Sequence, residues 1–440
     1  MKRNCCRVGQ LVVLATLVFL GPARVGTAQE PSEPSASVNQ VIEWNQIFID
    51  TLVATNTPNS SSQRLGAIFH TAIFDAYNGV ERRYSPVFVV GGAPPGTSRR
   101  AAVIAAAYTA LLGLFPSLTP LQRADIDASY EAALGRVGGD GSRSRGRGVA
   151  WGSDVAETVL AWRATDGFAS STPRPPFNGG LAVGQWRPTG GSCVTMTGLG
   201  LAFTAPFVVA NTSQFDPGPP RVLASPTYLD DFNTVKALGR RTNSTRTENQ
   251  TALAPFWEGN ASVHWNQAAN QMARAHHLSL SDSNRLFAVL NIAMADTAFT
   301  VWTAKLFYGS NPLEVTWRPF TAIVVADTDG LPQTTADPAW LPLVNTPCHP
   351  EYPAGHPSMN GAAATVLRSY FDDRQTFTLT TTGQPPRTYT SVAQARSDGN
   401  NARVWGGMHY PSTVAISDQV GEAIANYVNL NAMQPIRGRP

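Results

Sequence analysis

Two histidines bracket a tight turn in HPEYPAGHPS, the stretch from His349 to Ser358, in a chain that has only seven histidines. Imidazole is the one side chain whose unperturbed charge change falls near neutral pH. Beside such a turn it can pack in a core, ligate a metal or exchange a proton with a bound anion. Gly355 lets another group approach the backbone closely, and Pro357 suits the first turn of a helix. The unpaired N–H groups of a helix start form an anion site that the macrodipole reinforces, with His356 at its mouth.

A second cluster, ARVWGGMHYPS, places Arg403 six positions before His409 with Gly406 and Gly407 between them. On one continuous helix that spacing is nearly two turns, so both would face the same way. A third, AKLFYGSNPLEVTWRPFTAI, holds Lys305 and Arg318 near the end of a long apolar helical run. The arginine fork can bind two anion oxygens at once, and lysine acts as a compact point charge. Each cluster also has a plain structural reading: a capped helix end, a chance Arg-His pair, two cations snorkelling to the surface.

The elements that must carry these groups are mostly helical. Apolar residues recur at three- and four-residue spacing in VIEWNQIFIDTLVA, SQRLGAIFHTAIFDAYNGV, the Ala-rich stretch from Arg100, LQRADIDASYEAALGRV and VAWGSDVAETVLAWRATDG. GGDGSRSRGRG, between the last two, reads as a solvated loop. Residues 166–227 are rich in proline and glycine and carry little period, which predicts an ordered irregular covering segment. Helical patterns return from Ser225-Pro226, and a long apolar helix is expected with Ser281 or Asp282 as its N-cap. One more helix is expected near Pro357, then a short strand-like TFTLTTTG and a final helical pair. The organisation predicted is an N-terminal helical part (36–165), the covering segment (166–227) and a C-terminal helical part (228–435). The first and last are read as one compact catalytic unit of mostly α class.

At the N-terminus Lys2, Arg3 and Arg7 precede LVVLATLVFLG, an apolar run of eleven residues, and VGTA offers a small-residue cleavage site after Ala28. The run is shorter than the ~20 residues that span a bilayer. Residues 1–28 therefore read as a signal peptide, and the mature protein as secreted or periplasmic. A net charge of +3 suggests no nucleic-acid partner. No later segment reads as a membrane span; AAVIAAAYTALLGLF, Ala101 to Phe115, reads as a buried helix. Cys5 and Cys6 fall in the signal, and Cys193 and Cys348 are either a disulfide or two thiols. His70, His264, His276 and His277 lack the spacing of a helical zinc site, and neither a Gly-x-Ser-x-Gly nor a P-loop occurs.

Taken together, the ordered motifs WRP, PAGH and RVWGGMH resemble the vanadium haloperoxidase and type 2 phosphatidic acid phosphatase superfamily. HPEYPAGH and ARVWGGMHY look closest to its secreted bacterial haloperoxidase-like branch. The resemblance implies packed helical bundles and an oxyanion, vanadate or phosphate, held by Lys305, Arg318, Gly355, Arg403 and His409. His409 would bond axially to vanadium or attack phosphorus, His356 would be the acid–base partner, and Lys305 would polarise bound peroxide. His349 lies where algal bromoperoxidases carry a histidine, which suggests a halide or peroxide role.

The implied activity is oxidation of halide, bromide or iodide favoured, by hydrogen peroxide, with vanadate as cofactor and small organic acceptors downstream. An acid phosphatase acting on phosphomonoesters and a non-catalytic oxyanion-binding protein are the alternatives. A homodimer is a reasonable assembly on the same likeness. Three departures stand out. The usual lysine position before the Arg-Pro pair is Asn311, implying an insertion of about GSNPLE between Lys305 and Arg318. The serine of Pro-Ser-Gly-His is Ala354. The acid that usually follows the second histidine is Thr413, which puts the orientation of His409 in question.

Overall fold

In the computed structural model, which describes residues 38–436, local capping chemistry sets most helix starts. Asn39 accepts from the backbone of Val41 and Ile42 to open α1 (Gln40–Ala54), and Thr119 and Thr247 form capping boxes with Gln122 and Gln250. The expected residue pair Ser225-Pro226 caps and opens a helix. Among the described residues there are thirteen α-helices and one two-stranded antiparallel sheet, so the chain is mostly α, in packed helical bundles. The signal-peptide reading falls on residues 1–28, outside the described range, as do Cys5 and Cys6.

After α1 come α2 (Asn59–Glu81), α3 (Arg99–Leu114), α4 (Pro120–Gly135) and α5 (Ser142–Ala164). The loop expected over 138–148 is shorter than the sequence suggests, since α5 begins at Ser142. Two glycines of α5, Gly148 and Gly152, serve contact with α3. A Cβ on Gly148 or Gly152 would strike the backbone of Ser98 or Ala102, so the composition that resembles a loop permits close helix packing.

Residues 166–225 contain no α-helix, only a 3₁₀ turn at Leu199–Phe203. Then follow α6 (Pro226–Leu238), α7 (Glu248–Phe256), α8 (Ala261–Ala275), α9 (Leu280–Ser310), α10 (Pro319–Val324), α11 (Gly355–Tyr370), α12 (Val392–Trp405) and α13 (Pro411–Asn431). The strands β1 (Phe377–Leu379) and β2 (Arg387–Tyr389) pair with Phe377 opposite Tyr389. The cap of α9 is Ser279, whose Oγ accepts from Asp282, rather than Ser281 or Asp282; both of those lie inside the first turn.

α9 is the central element, packed against α2, α11 and α13. It is long and apolar enough to cross a membrane, with a mean hydropathy of 1.4 over its most apolar window, yet 94% of that window is buried inside the protein. Two buried aspartates tie irregular chain to the bundle. Asp75 of α2 accepts the N–H groups of Val87, Phe88 and Val89, each at 2.8 Å. Asp296 of α9 likewise accepts from Phe207, Val208 and Val209 at 2.7–3.0 Å. Without such acceptors these buried donors would each carry a desolvation cost.

Candidate active site

Four elements deliver the charged groups to one place. Lys305 projects from α9, Arg318 immediately precedes α10, Gly355 and His356 open α11, and Arg403 lies in the last turn of α12. The one-helix geometry expected for Arg403 and His409 does not hold. α12 ends at Trp405, Gly407 turns the chain at φ +79°, and His409 stands just before α13, so a bend rather than a shared helix face brings the pair together. Left-handed backbone at that point favours glycine.

A cavity of about 310 Å³ is walled by His349, Gly355, His356, Arg403 and His409, with Asn59, Thr197, Glu258, Trp302 and Asn345 among its other lining residues. Fully buried Arg318 touches two of the wall's histidines. Its Nη1 donates to His409 Nε2 at 3.0 Å and its Nη2 to His349 Nδ1 at 2.8 Å. Lys305, also fully buried, donates through Nζ to the carbonyl of Pro350 at 2.7 Å and interacts electrostatically with Arg318, Glu351 and Arg403. Each residue that the motifs single out thus lies in or directly behind one pocket. Asn311, at the usual lysine position, instead caps the C-terminus of α9 and accepts from Leu313; the extra residues form a turn beyond the helix end, and Lys305 stays on the helix.

The hydrogen bonds define the ring protons, because carbonyls and carboxylates only accept and guanidinium only donates. His409 Nδ1 faces Oε1 of Glu351 at 3.0 Å, so Nδ1 carries the hydrogen and Nε2 the lone pair. His356 Nε2 lies 3.1 Å from the carbonyl of Gly259, so Nε2–H donates and Nδ1 holds the lone pair. His349 Nδ1 lies between Arg318 Nη2 at 2.8 Å and the Pro350 carbonyl at 3.2 Å, and the shorter contact makes it an acceptor; its ring centroid lies 5.3 Å from that of Trp302.

Burial makes this an anion-demanding pocket. Desolvation lowers Arg318 to about 9 and Arg403 to about 10, and it holds Lys305 well below the usual lysine value, with Arg318 adding to the effect. His349, His356 and His409 are all held well below the ordinary histidine value, first by burial and then by the neighbouring cations. The buried Nε of Arg403 has no hydrogen-bond partner. In α11 the N–H groups of Gly355 and His356 belong to the first turn, which has no carbonyl partners within the helix. A multiply charged oxyanion answers all of these at once, by neutralising the cations and accepting the free donors. Vanadate fits this donor set, needing only one protein bond besides, for which His409 Nε2, here the acceptor of Arg318 Nη1, has the lone pair.

Sequence reasoning missed Glu351. It is fully buried, and it supplies beside His409 the carboxylate that is absent at Thr413. Ala354, in place of the usual serine, gives its N–H to Ser417 Oγ at 2.7 Å. Cys193 and Cys348 form a disulfide, which joins the covering segment to the residue before His349.

Residues 285–438 match the family model of the VCPO second helical-bundle domain. No curated protein matches the sequence. Among solved structures, the fold is similar to that of a bacterial vanadium-dependent iodoperoxidase, with a TM-score of 0.76 and 20% identity, covering 93% of this chain and 100% of that one. It is also similar to apo- and holo-type bacterial vanadium-dependent chloroperoxidase, with TM-scores of 0.66 and 0.64 and 18% identity. Each comparison covers 84% of this chain, and 92% and 91% of the other. Residues 285–438 thus match one domain of that family, and the chain as a whole has the fold of the vanadium haloperoxidases.

Proposed function

We propose that this protein is a vanadate-dependent haloperoxidase that uses hydrogen peroxide to oxidise a halide, bromide or iodide, to hypohalous acid. The observation that carries the reading is the cavity itself, where buried Lys305, Arg318 and Arg403 face two carboxylates, Glu351 and the exposed Glu258, and Arg403 Nε is left without a partner. Vanadate, when bound, supplies a Lewis-acid centre for peroxide activation with no change of redox state. Lys305, Arg318, Arg403 and the Gly355 N–H would hold its oxygens, whose negative charge favours the protonated form of Lys305. His409 would give the single protein bond through Nε2, in place of its contact with Arg318. His356, neutral and with its lone pair at Nδ1, takes a proton from hydrogen peroxide. Lys305 would draw electron density from the peroxide, and His349 beside Trp302 would form the wall that a halide meets. Small organic acceptors then react with the oxidant.

The N-terminal apolar segment and the Cys193–Cys348 disulfide support export to an oxidising compartment, secreted or periplasmic. A phosphatase would use the same cradle, with His409 attacking phosphorus and His356 protonating the leaving alcohol. The Glu351–His409 contact serves that chemistry too, and it removes the loss at Thr413 as an argument for a non-catalytic binder.

One preparation separates these readings. Metal-stripped protein is given orthovanadate, peroxide and bromide while bromination of a dye is followed, and in parallel a chromogenic phosphomonoester. Vanadate-dependent bromination that is lost in His409→Ala is expected. Ester hydrolysis without bromination would replace this reading with the phosphatase, and phosphate binding without either activity would leave only a binder.

A further inference from the structure

Glu351 sits between the two histidines of the turn, and both of its oxygens are engaged. Oε1 accepts from His409 Nδ1 at 3.0 Å and from the Tyr410 N–H at 3.1 Å. Oε2 accepts from Thr413 Oγ1 at 3.0 Å and from Arg221 Nη2 at 3.4 Å. Arg221 comes from the irregular covering segment. It donates to Thr413 Oγ1 at 2.7 Å, pairs with Asp231 at 3.2 Å and lies over the Tyr410 ring, 4.0 Å from its centroid. The carboxylate is therefore fixed from two sides, with one oxygen left to face the imidazole.

The geometry assigns Glu351 as the positioning residue of His409, held in place by Arg221 and Thr413, in the role that the resemblance gives to an acid at position 413. A carboxylate on Nδ1 fixes the tautomer and ring orientation, and it makes Nε2 a stronger donor. Its position in the chain has moved while the chemistry is kept. The pairing itself is independent of the activity; its consequence for vanadate rests on the proposed function.

The test compares wild type, Glu351→Gln and Glu351→Asp. Calorimetry measures binding of orthovanadate and of inorganic phosphate, and ¹⁵N NMR of histidine-labelled protein reads the His409 tautomer. Vanadate affinity in Glu351→Gln is expected to fall by about 10–100-fold. Phosphate affinity should hold or rise, because phosphate is bound by the cations alone and a negative charge has been removed. Glu351→Asp keeps the charge but retracts it by one methylene, and should lose less. The Nδ1–H tautomer should dominate in wild type and persist in Glu351→Gln, where Arg318 still donates to Nε2, but the Nδ1 resonance should shift as the charged acceptor is lost.

An unchanged vanadate-to-phosphate ratio in both variants, or equal loss of both anions, overturns the assignment. So does a His409 Nδ1 resonance that ignores the substitution. If wild type shows no preference for vanadate over phosphate, the haloperoxidase reading falls instead, and the Nδ1 resonance alone decides the pairing.

Discussion

Nη1 of Arg221 and Oγ1 of Thr413 share a 2.7 Å hydrogen bond, joining the irregular segment to the first turn of α13 beside the carboxylate of Glu351. This contact makes position 413 a place from which an acid could reach the same network. Glu351→Gln with Thr413→Asp is expected to regain about tenfold of the vanadate affinity that Glu351→Gln loses. Calorimetry on the two variants checks this, and a folded double variant that binds no better than the single one refutes it.

Arg403 gives a prediction with two signs. Arg403→Met should weaken phosphate binding on the order of 100-fold through lost charge-assisted hydrogen bonds. Stability without anion should hold or rise, since a desolvated guanidinium with an unpartnered Nε is replaced by an apolar chain of similar length. Arg403→Lys should recover only part of the affinity, because a point charge cannot replace the fork. Denaturant midpoints and phosphate titrations measured on the same samples read both signs.

The disulfide joins residues 155 positions apart. Cys193→Ser with Cys348→Ser is expected to cost about 2–4 kcal/mol of stability, mainly by freeing the unfolded chain. The Thr197 N–H, which donates to the Cys348 carbonyl at 2.8 Å, remains to hold the local path. A guanidinium unfolding curve compared with that of the oxidised wild type gives the difference.

His264 sets a pH dependence outside the oxyanion site. Burial lowers it to about 4, against Phe256 and with Nε2 on Thr381 Oγ1 at 2.5 Å. Below pH ~6.5 the unfolded chain takes up a proton that the native state refuses, so this group's contribution to stability falls as pH drops toward 4. Asp75 and Asp296, raised by burial to about 6, act oppositely, since the native state binds their protons first. The effect is therefore read as the difference between wild type and His264→Gln, which should move against wild type by about 3 kcal/mol from pH 7 to 4. Urea titrations across that range would show a flat difference if His264 were protonated in the fold.

Much of the site was legible because its residues sit in compact motifs. Lys305, Arg318, His349, Gly355, His356, Arg403 and His409 were each marked by type and neighbours, and the structure gathers them around one pocket. Glu351 was hidden although it lies inside the most telling motif. Its partner His409 is 58 positions away, and no period or spacing links a loop carboxylate to a residue before a distant helix. Arg221 was harder still, in a proline-rich stretch where sequence supplies no register. The helices read well wherever caps and apolar period agreed. They failed at Ser142–Gly148, where glycine signals a loop to the reader but close contact to the neighbouring helix, and at Arg403–His409, where two glycines end a helix that the spacing seemed to continue.

The covering segment is fastened on both flanks of the pocket, by the disulfide and Thr197 near His349 and by Arg221 behind His409. A strap tied down at two such points leaves traffic to the rim, where Thr197, Glu258 and Asn345 are the solvent-exposed wall residues. Under the proposed function, incoming anions, peroxide and halide would therefore share one doorway with the departing oxidant. Glu258, the only carboxylate among those three, stands where it would slow the arrival of each negatively charged guest.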